Sequence, residues 1–185
     1  MSKENMRVII SKRMMKEGLL RCLAHTSIDK LSISELCREA QVNRATFYNH
    51  YETPRDILVE IGWEHAKEIK KIFERNKRLP VKERMTQCFT YLYNNKQAVS
   101  VLFSAGADGR LAETVSSIFI WAWSQIIDLK KHLDLKDETE YKLAVTSYGW
   151  AAYFLIRQWL MEDIDKTPEE ITNLFIKLPG RNIYD

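Results

Sequence analysis

The stretch "KLSISELCREAQVNRATFYNHYETPRDIL" (residues 30–58) decides how this chain is read. Ser32 precedes Glu35 by three residues, the spacing of a capping box. Leu31 and Leu36 stand where a hydrophobic staple would pack. Asn43 is placed to cap the next helix, because its short side chain reaches the first free N–H groups. Thr53 then precedes Pro54 at a first helical position, with Asp56 one turn in. The spacing predicts two short helices, 32–40 and 43–50, joined by a turn centred on Gln41-Val42. A longer helix (about 4–24) precedes them and another (about 54–78) follows.

The second short helix has an unusual composition. Val42, Phe47 and Tyr51 fall one helical turn apart and continue a series from Ile33, Leu36, Cys37 and Ala40. These residues are expected to pack on Met15, Leu19, Cys22 and Leu23 of the first helix. That leaves Arg44, Ala45, Thr46, Tyr48, Asn49 and His50 on other faces. Two short helices with a polar, aromatic second member suggest a helix-turn-helix, whose second helix enters the major groove. Arg suits guanine or phosphate, Asn suits adenine, and Ala or Thr methyls suit the thymine methyl. The hydroxyls of Thr46 and Tyr48 suit phosphate oxygens, which fix register without reading sequence.

The same stretch resembles the DNA-binding module of TetR-type transcriptional regulators. The resemblance rests on Ser32, Ala40, Val42, the run Thr46-Phe47-Tyr48, His50 and Tyr51. "SKRMMKEGLLRCL" (11–23) is similar to that family's first helix, so the match covers about residues 7–60. It implies a DNA-binding set of Ser32, Ser34, Asn43, Arg44, Ala45, Thr46, Tyr48, Asn49, His50 and Arg55. Three positions depart from the pattern. Gln41 and Ser27 stand where the family usually has Gly, which puts Gln41 near positive φ. Pro54 stands where a phosphate-binding Lys is common, leaving Arg55 or the helix N-terminus to take that phosphate.

Charge agrees in direction. Of a net +3, residues 1–58 carry the whole surplus, 10 Lys/Arg against 7 Asp/Glu, and the rest balances at 18 against 18. A basic first third fits a phosphate-rich partner.

The remaining two-thirds also read as helix, giving an all-α chain of about nine helices. A module at 1–53 is expected, followed by a larger helical domain at 54–185 for ligand binding and dimerisation. "LAETVSSIFIWAWSQIIDL" (111–129) and "YKLAVTSYGWAAYFLIRQWL" (141–160) are apolar on nearly all sides and must be covered on all sides. A second copy of the chain would cover one of them, with Tyr148, Ala151, Ala152, Leu155 and Trp159 in the interface. The resemblance implies the same two-fold pairing of the last two helices, and the layout is similar to the short Firmicutes-type variant. It also implies a small effector, with Trp63, Phe89, Tyr93, Phe103, Phe119, Trp123 and Trp150 as candidate liners.

Other function classes find little support. The four histidines have no catalytic partner at a useful spacing, and no phosphate loop or nucleophile elbow occurs. An enzyme, a cofactor and a metal site are therefore not expected. Cys22, Cys37 and Cys88 match no metal motif and read as reduced core residues. No apolar run is long enough for a membrane span, and the N-terminus lacks a signal-peptide core, so a cytoplasmic protein is expected. The expected function is a repressor that binds a palindromic operator as a homodimer. The alternative is a co-regulator that uses the same fold to bind a protein partner.

Overall fold

The computed structural model describes residues 3–75, 77–105, 117–118, 120–121, 124, 133–162 and 164–177. Eight helices and no strand occur among them: α1 (Lys3–Leu23), α2 (Ile33–Glu39), α3 (Arg44–Tyr48), α4 (Pro54–Arg75), α5 (Val81–Asn94), α6 (Lys96–Ala105), α7 (Glu138–Met161) and α8 (Pro168–Lys177). The expected helix at 111–129 lies largely outside the described residues.

The first three helices close around a small apolar centre. Met15 and Leu19, one turn apart on α1, are fully buried against Leu36, Cys37 and Ala40. Phe47 of α3 is also fully buried, and Tyr51 nearly so. Leu31 and Leu36 are both buried, as a staple requires. The crossing of α1 over the end of α2 is close. A Cβ at Gly18 would lie 2.7 Å from Ala40 Cβ and 2.8 Å from Ala40 Cα. Gly18 and Ala40 are therefore small because the two backbones nearly touch.

α4 runs from this group into the rest of the chain, packing on α1 at one end and on α5 further along. α5 lies against α8 through Phe89 and Phe175, whose rings are 5.8 Å apart. α7 packs on α6 through Phe103 and Tyr153, 5.0 Å apart. Trp159 of α7 is buried beside Phe89, and its indole N–H donates to the Lys166 carbonyl at 2.8 Å. That bond satisfies the one polar atom of the ring. α8 begins with a capping box: Glu170 N–H donates to Thr167 Oγ1 and Thr167 N–H donates to Glu170 Oε2.

The close crossing sets a stability test. Gly18→Ala forces backbone apart and is expected to cost about 1–3 kcal/mol, the usual range for overpacking. Urea unfolding checks this: the midpoint falls with an unchanged slope. An unchanged midpoint would mean the crossing has room to spare.

Candidate nucleic-acid interface

Each end of the two short helices is closed by local hydrogen bonds. At the start of α2, Ser32 N–H donates to Glu35 Oε2 at 3.0 Å and Glu35 N–H donates to Ser32 Oγ at 3.2 Å. At its end, Gln41 N–H donates to the Arg38 carbonyl and Val42 N–H to the Cys37 carbonyl. This pair of bonds is a Schellman motif, which needs a left-handed residue just past the helix. Gln41 supplies it at φ 54°, where glycine would be unstrained. The next helix starts at once, with Asn43 Oδ1 accepting from Thr46 N–H at 2.7 Å.

This geometry sorts the side chains of 43–51 into two sets. Phe47 and Tyr51 point into the chain. Arg44, Ala45, Tyr48 and Asn49 are exposed, with Tyr48 retaining 59% of its surface, while Thr46 and His50 are half-buried. A tyrosine that open is not a core residue. Ser32, Ser34 and Asn43 are exposed on the same end of the two helices. Arg44 donates to Ser34 Oγ, which ties α3 to α2 and fixes the guanidinium at the edge.

A charged cluster behind the interface was not foreseen from the sequence. Glu60 of α4 accepts from Lys12 Nζ at 2.8 Å, Lys16 Nζ at 2.7 Å and the Tyr51 hydroxyl at 3.0 Å. Lys16 also donates to Glu64 at 2.5 Å, and Lys12 lies 5.1 Å from the centre of the Tyr51 ring. One carboxylate thus joins α1, α4 and the residues that follow α3. Burial disfavours the Glu60 charge, but the hydrogen bonds from Lys12, Lys16 and Tyr51 outweigh it and hold the carboxyl at about 2. Burial and the neighbouring Glu60 push the Tyr51 phenol well above its ordinary range. The signal was present in the sequence as two i,i+4 pairs, Lys12/Lys16 and Glu60/Glu64, on helices that pack together.

Arg55 has a different setting from the one expected. It is ion-paired with Asp29 of the α1–α2 connection. Just before the helix, Glu52 N–H and Thr53 N–H both donate to Asp56 Oδ2, at 3.0 and 2.7 Å.

Comparison with known proteins settles the family. A family model described as "Transcriptional regulator C-terminal region" of the TetR type matches residues 81–179, more than half of the chain. The chain belongs to the TetR family of transcriptional regulators. Solved TetR-type structures share its fold. A putative TetR-family regulator from Syntrophomonas wolfei is 15% identical, with a TM-score of 0.72 over 91% of this chain and 92% of that one. A TetR regulator from Streptococcus agalactiae is 14% identical, with a TM-score of 0.68 over 96% and 98%. The regulator FadR from Bacillus subtilis, solved with stearoyl-CoA, is 14% identical, with a TM-score of 0.66 over 90% and 96%. No curated protein matches the sequence.

The TetR-family C-terminal region places the other expected residues unevenly. Of the candidate pocket liners, Phe89 and Phe103 are buried in the core and Trp63 is half-buried against Trp121. Tyr93 and Trp150 open to solvent, and Phe119 and Trp123 lie outside the described residues. Of the expected interface residues, Ala152 and Trp159 are buried within the chain and cannot reach a partner. Tyr148 and Leu155 are half-buried, and Ala151 is exposed. The outward stripe of α7 is instead Leu143, Trp150 and Phe154, with Ala151 beside it. The correction is rotational. Both faces of α7 are apolar, so periodicity cannot say which one points inward. No group of three or more His, Cys, Asp or Glu that could hold a metal occurs among the described residues. None of the described helices is long and apolar enough to cross a membrane.

The Glu60 cluster has a measurable signature. Its carboxyl is depressed in the folded state from 4.5 to about 2. It therefore stabilises the fold fully above pH 4.5, and that contribution is lost as pH falls toward 2. Glu60→Gln is expected to lower stability at neutral pH and to flatten the pH dependence over that window. Urea unfolding at a series of pH values measures both. Parallel curves for the variant and the wild type would show that Glu60 is not the coupled group.

Proposed function

We propose that this TetR-family chain is a DNA-binding repressor that binds a palindromic operator as a homodimer. The observation that carries the reading is the division of α3 into a pinned inner side and an open outer edge. Arg44, Ala45, Tyr48 and Asn49 line that edge, flanked by Thr46 and His50, with Ser32, Ser34 and Asn43 at its start. Arg44 and Asn49 supply base-reading chemistry, and the hydroxyls supply phosphate contacts. The module of this reading is 1–53, and 54–185 carries dimerisation and effector binding.

Dimerisation rests on the outer stripe of α7. Leu143 keeps 63% and Phe154 58% of their surface, and the Trp150 and Phe154 rings stack 5.8 Å apart on the outside of the helix. Leu174 and Ile176 of α8 are also exposed. Apolar side chains this open along one helix suit a self-complementary partner surface, as a two-fold dimer provides. Release of DNA by a small effector completes the proposal, with Trp63 and Phe103 facing the helices of the C-terminal region and a cytoplasmic setting. The effector's chemistry is left to experiment.

Selection of bound sequences from a random DNA pool tests the DNA reading directly. A palindromic consensus is expected; recovery of unenriched DNA from a folded dimer would instead favour a co-regulator that binds a protein. On the selected operator, Arg44→Ala and Tyr48→Ala are each expected to weaken binding by about 1–3 kcal/mol per half-site if they read or position bases. Operator affinity that both variants leave untouched would remove α3 from the interface.

The double variant Leu143→Glu/Phe154→Glu is expected to sediment as a folded monomer and to lose the palindrome. Helical content by circular dichroism controls for unfolding. A variant that stays dimeric would place the two-fold contact elsewhere.

A further inference from the structure

α4 begins six residues after α3 ends, and its first turn carries a cation, Arg55. Several groups there that could hold an anion are already in use. Arg55 is ion-paired with Asp29, and the N–H groups of Glu52 and Thr53 point at the Asp56 carboxylate. Pro54 has no N–H to offer. The guanidinium of Arg55 is thus engaged by a carboxylate of its own chain.

We propose that Asp29 is a resident competitor for DNA phosphate, holding Arg55 off the backbone so that α4 adds no phosphate contact. The inference rests on the DNA-binding reading above. Its physical basis is charge neutralisation. DNA affinity gains from each contact that releases a counterion, and an Arg–Asp pair with no net charge releases none. If a phosphate took Arg55, the Asp29 carboxylate would be left beside the DNA backbone unneutralised. Both side chains are partly exposed, at 46% and 39%, so the pair is weakly held yet sufficient to cancel the local charge.

The position of Asp29 suits such a role. It lies in the connection between α1 and α2 and shares a cavity of about 130 Å³ with Val101 and Ser104 of α6. That volume is small for an organic ligand, so the place reads as a joint between the module and α6. The residue that restrains Arg55 therefore stands where the module meets the rest of the chain.

Three variants test the proposal on the operator selected for the wild type: Asp29→Asn, Arg55→Ala and the double variant. Binding is followed by fluorescence anisotropy at several salt concentrations. Asp29→Asn is expected to bind more tightly, with the slope of log K against log salt steeper by about 1.8 for a dimer that gains two phosphate contacts. Its advantage over the wild type should then shrink roughly tenfold between about 50 and 200 mM salt. Arg55→Ala alone should bind somewhat more weakly than the wild type, because Asp29 is left uncancelled, and the double variant should return to wild-type affinity and salt slope.

A gain that survives in the double variant would assign it to removal of the Asp29 charge alone and overturn the lock. A double variant that binds more weakly than the wild type, with a shallower salt slope, would show that Arg55 already holds phosphate, with the same consequence. A wild-type protein that selects no DNA would fail at the DNA-binding reading and carry the proposal down with it. A wild type that binds, with Asp29→Asn indistinguishable from it, defeats the proposal only.

Discussion

A helix of five residues cannot hold itself in water, so α3 exists because Phe47 is buried. Nucleating so short a turn is unfavourable, and its backbone bonds alone do not recover the entropy. The side chain of Phe47 is fully enclosed, and loss of such a ring from a core usually costs about 3–5 kcal/mol. That exceeds the roughly 1 kcal/mol that the Asn43 cap contributes. The cap decides where the helix begins; Phe47 decides that it forms and which way it faces. Everything said of the outer edge follows, because a helix pinned at one residue on its inner side presents the opposite residues by default.

The core fixes α3 within the module, and Glu60 fixes the module against α4. Exposed ion pairs are individually weak, about 0–1 kcal/mol, and counting them rarely explains a structure. Here one carboxylate serves three donors from two other parts of the chain, so its bonds are not independent. Removing it would leave two lysines and a largely buried phenol without their shared acceptor. The cluster acts as a bracket between the part of the chain proposed to touch DNA and the helix that continues into the C-terminal region. Apolar packing alone would hold these elements together but would let them slide; directed bonds at 2.7–3.0 Å also set their angle.

Local chemistry was legible in the sequence and long-range pairing was not. The Ser32–Glu35 box and the Asn43 cap follow from residues a few positions apart, the left-handed Gln41 follows from the family resemblance, and the structure contains each one. Of the inner series expected from helical spacing, Met15, Leu19, Leu36, Cys37, Ala40, Phe47 and Tyr51 are buried, while Cys22, Leu23, Ile33 and Val42 are half-buried. α7 escaped the same logic. A helix with apolar residues on both faces gives periodicity nothing to choose between, so Ala152 and Trp159 were assigned outward when they face the chain's own core. Glu60 with Lys12 and Lys16, and Arg55 with Asp29, join residues 26 to 48 positions apart. Only the packing of the helices brings such partners together.

The departures from the family pattern acquire a common meaning once placed on the structure. Glutamine in place of glycine at position 41 costs some backbone strain, but the Schellman bonds of that turn are intact. Proline in place of lysine at position 54 is different in kind. It puts no cation and no N–H at that position, and the neighbouring Arg55 is paired with Asp29. The first change touches only the stability of the turn, while the second changes what the start of α4 can do. On the proposed DNA-binding reading, the second change shifts the burden of contact from α4 onto α3, whose edge keeps Arg44, Tyr48 and Asn49 open. An interface built that way would depend more on base-edge contacts and less on phosphate contacts, since the grip on the backbone is the part that has been reduced.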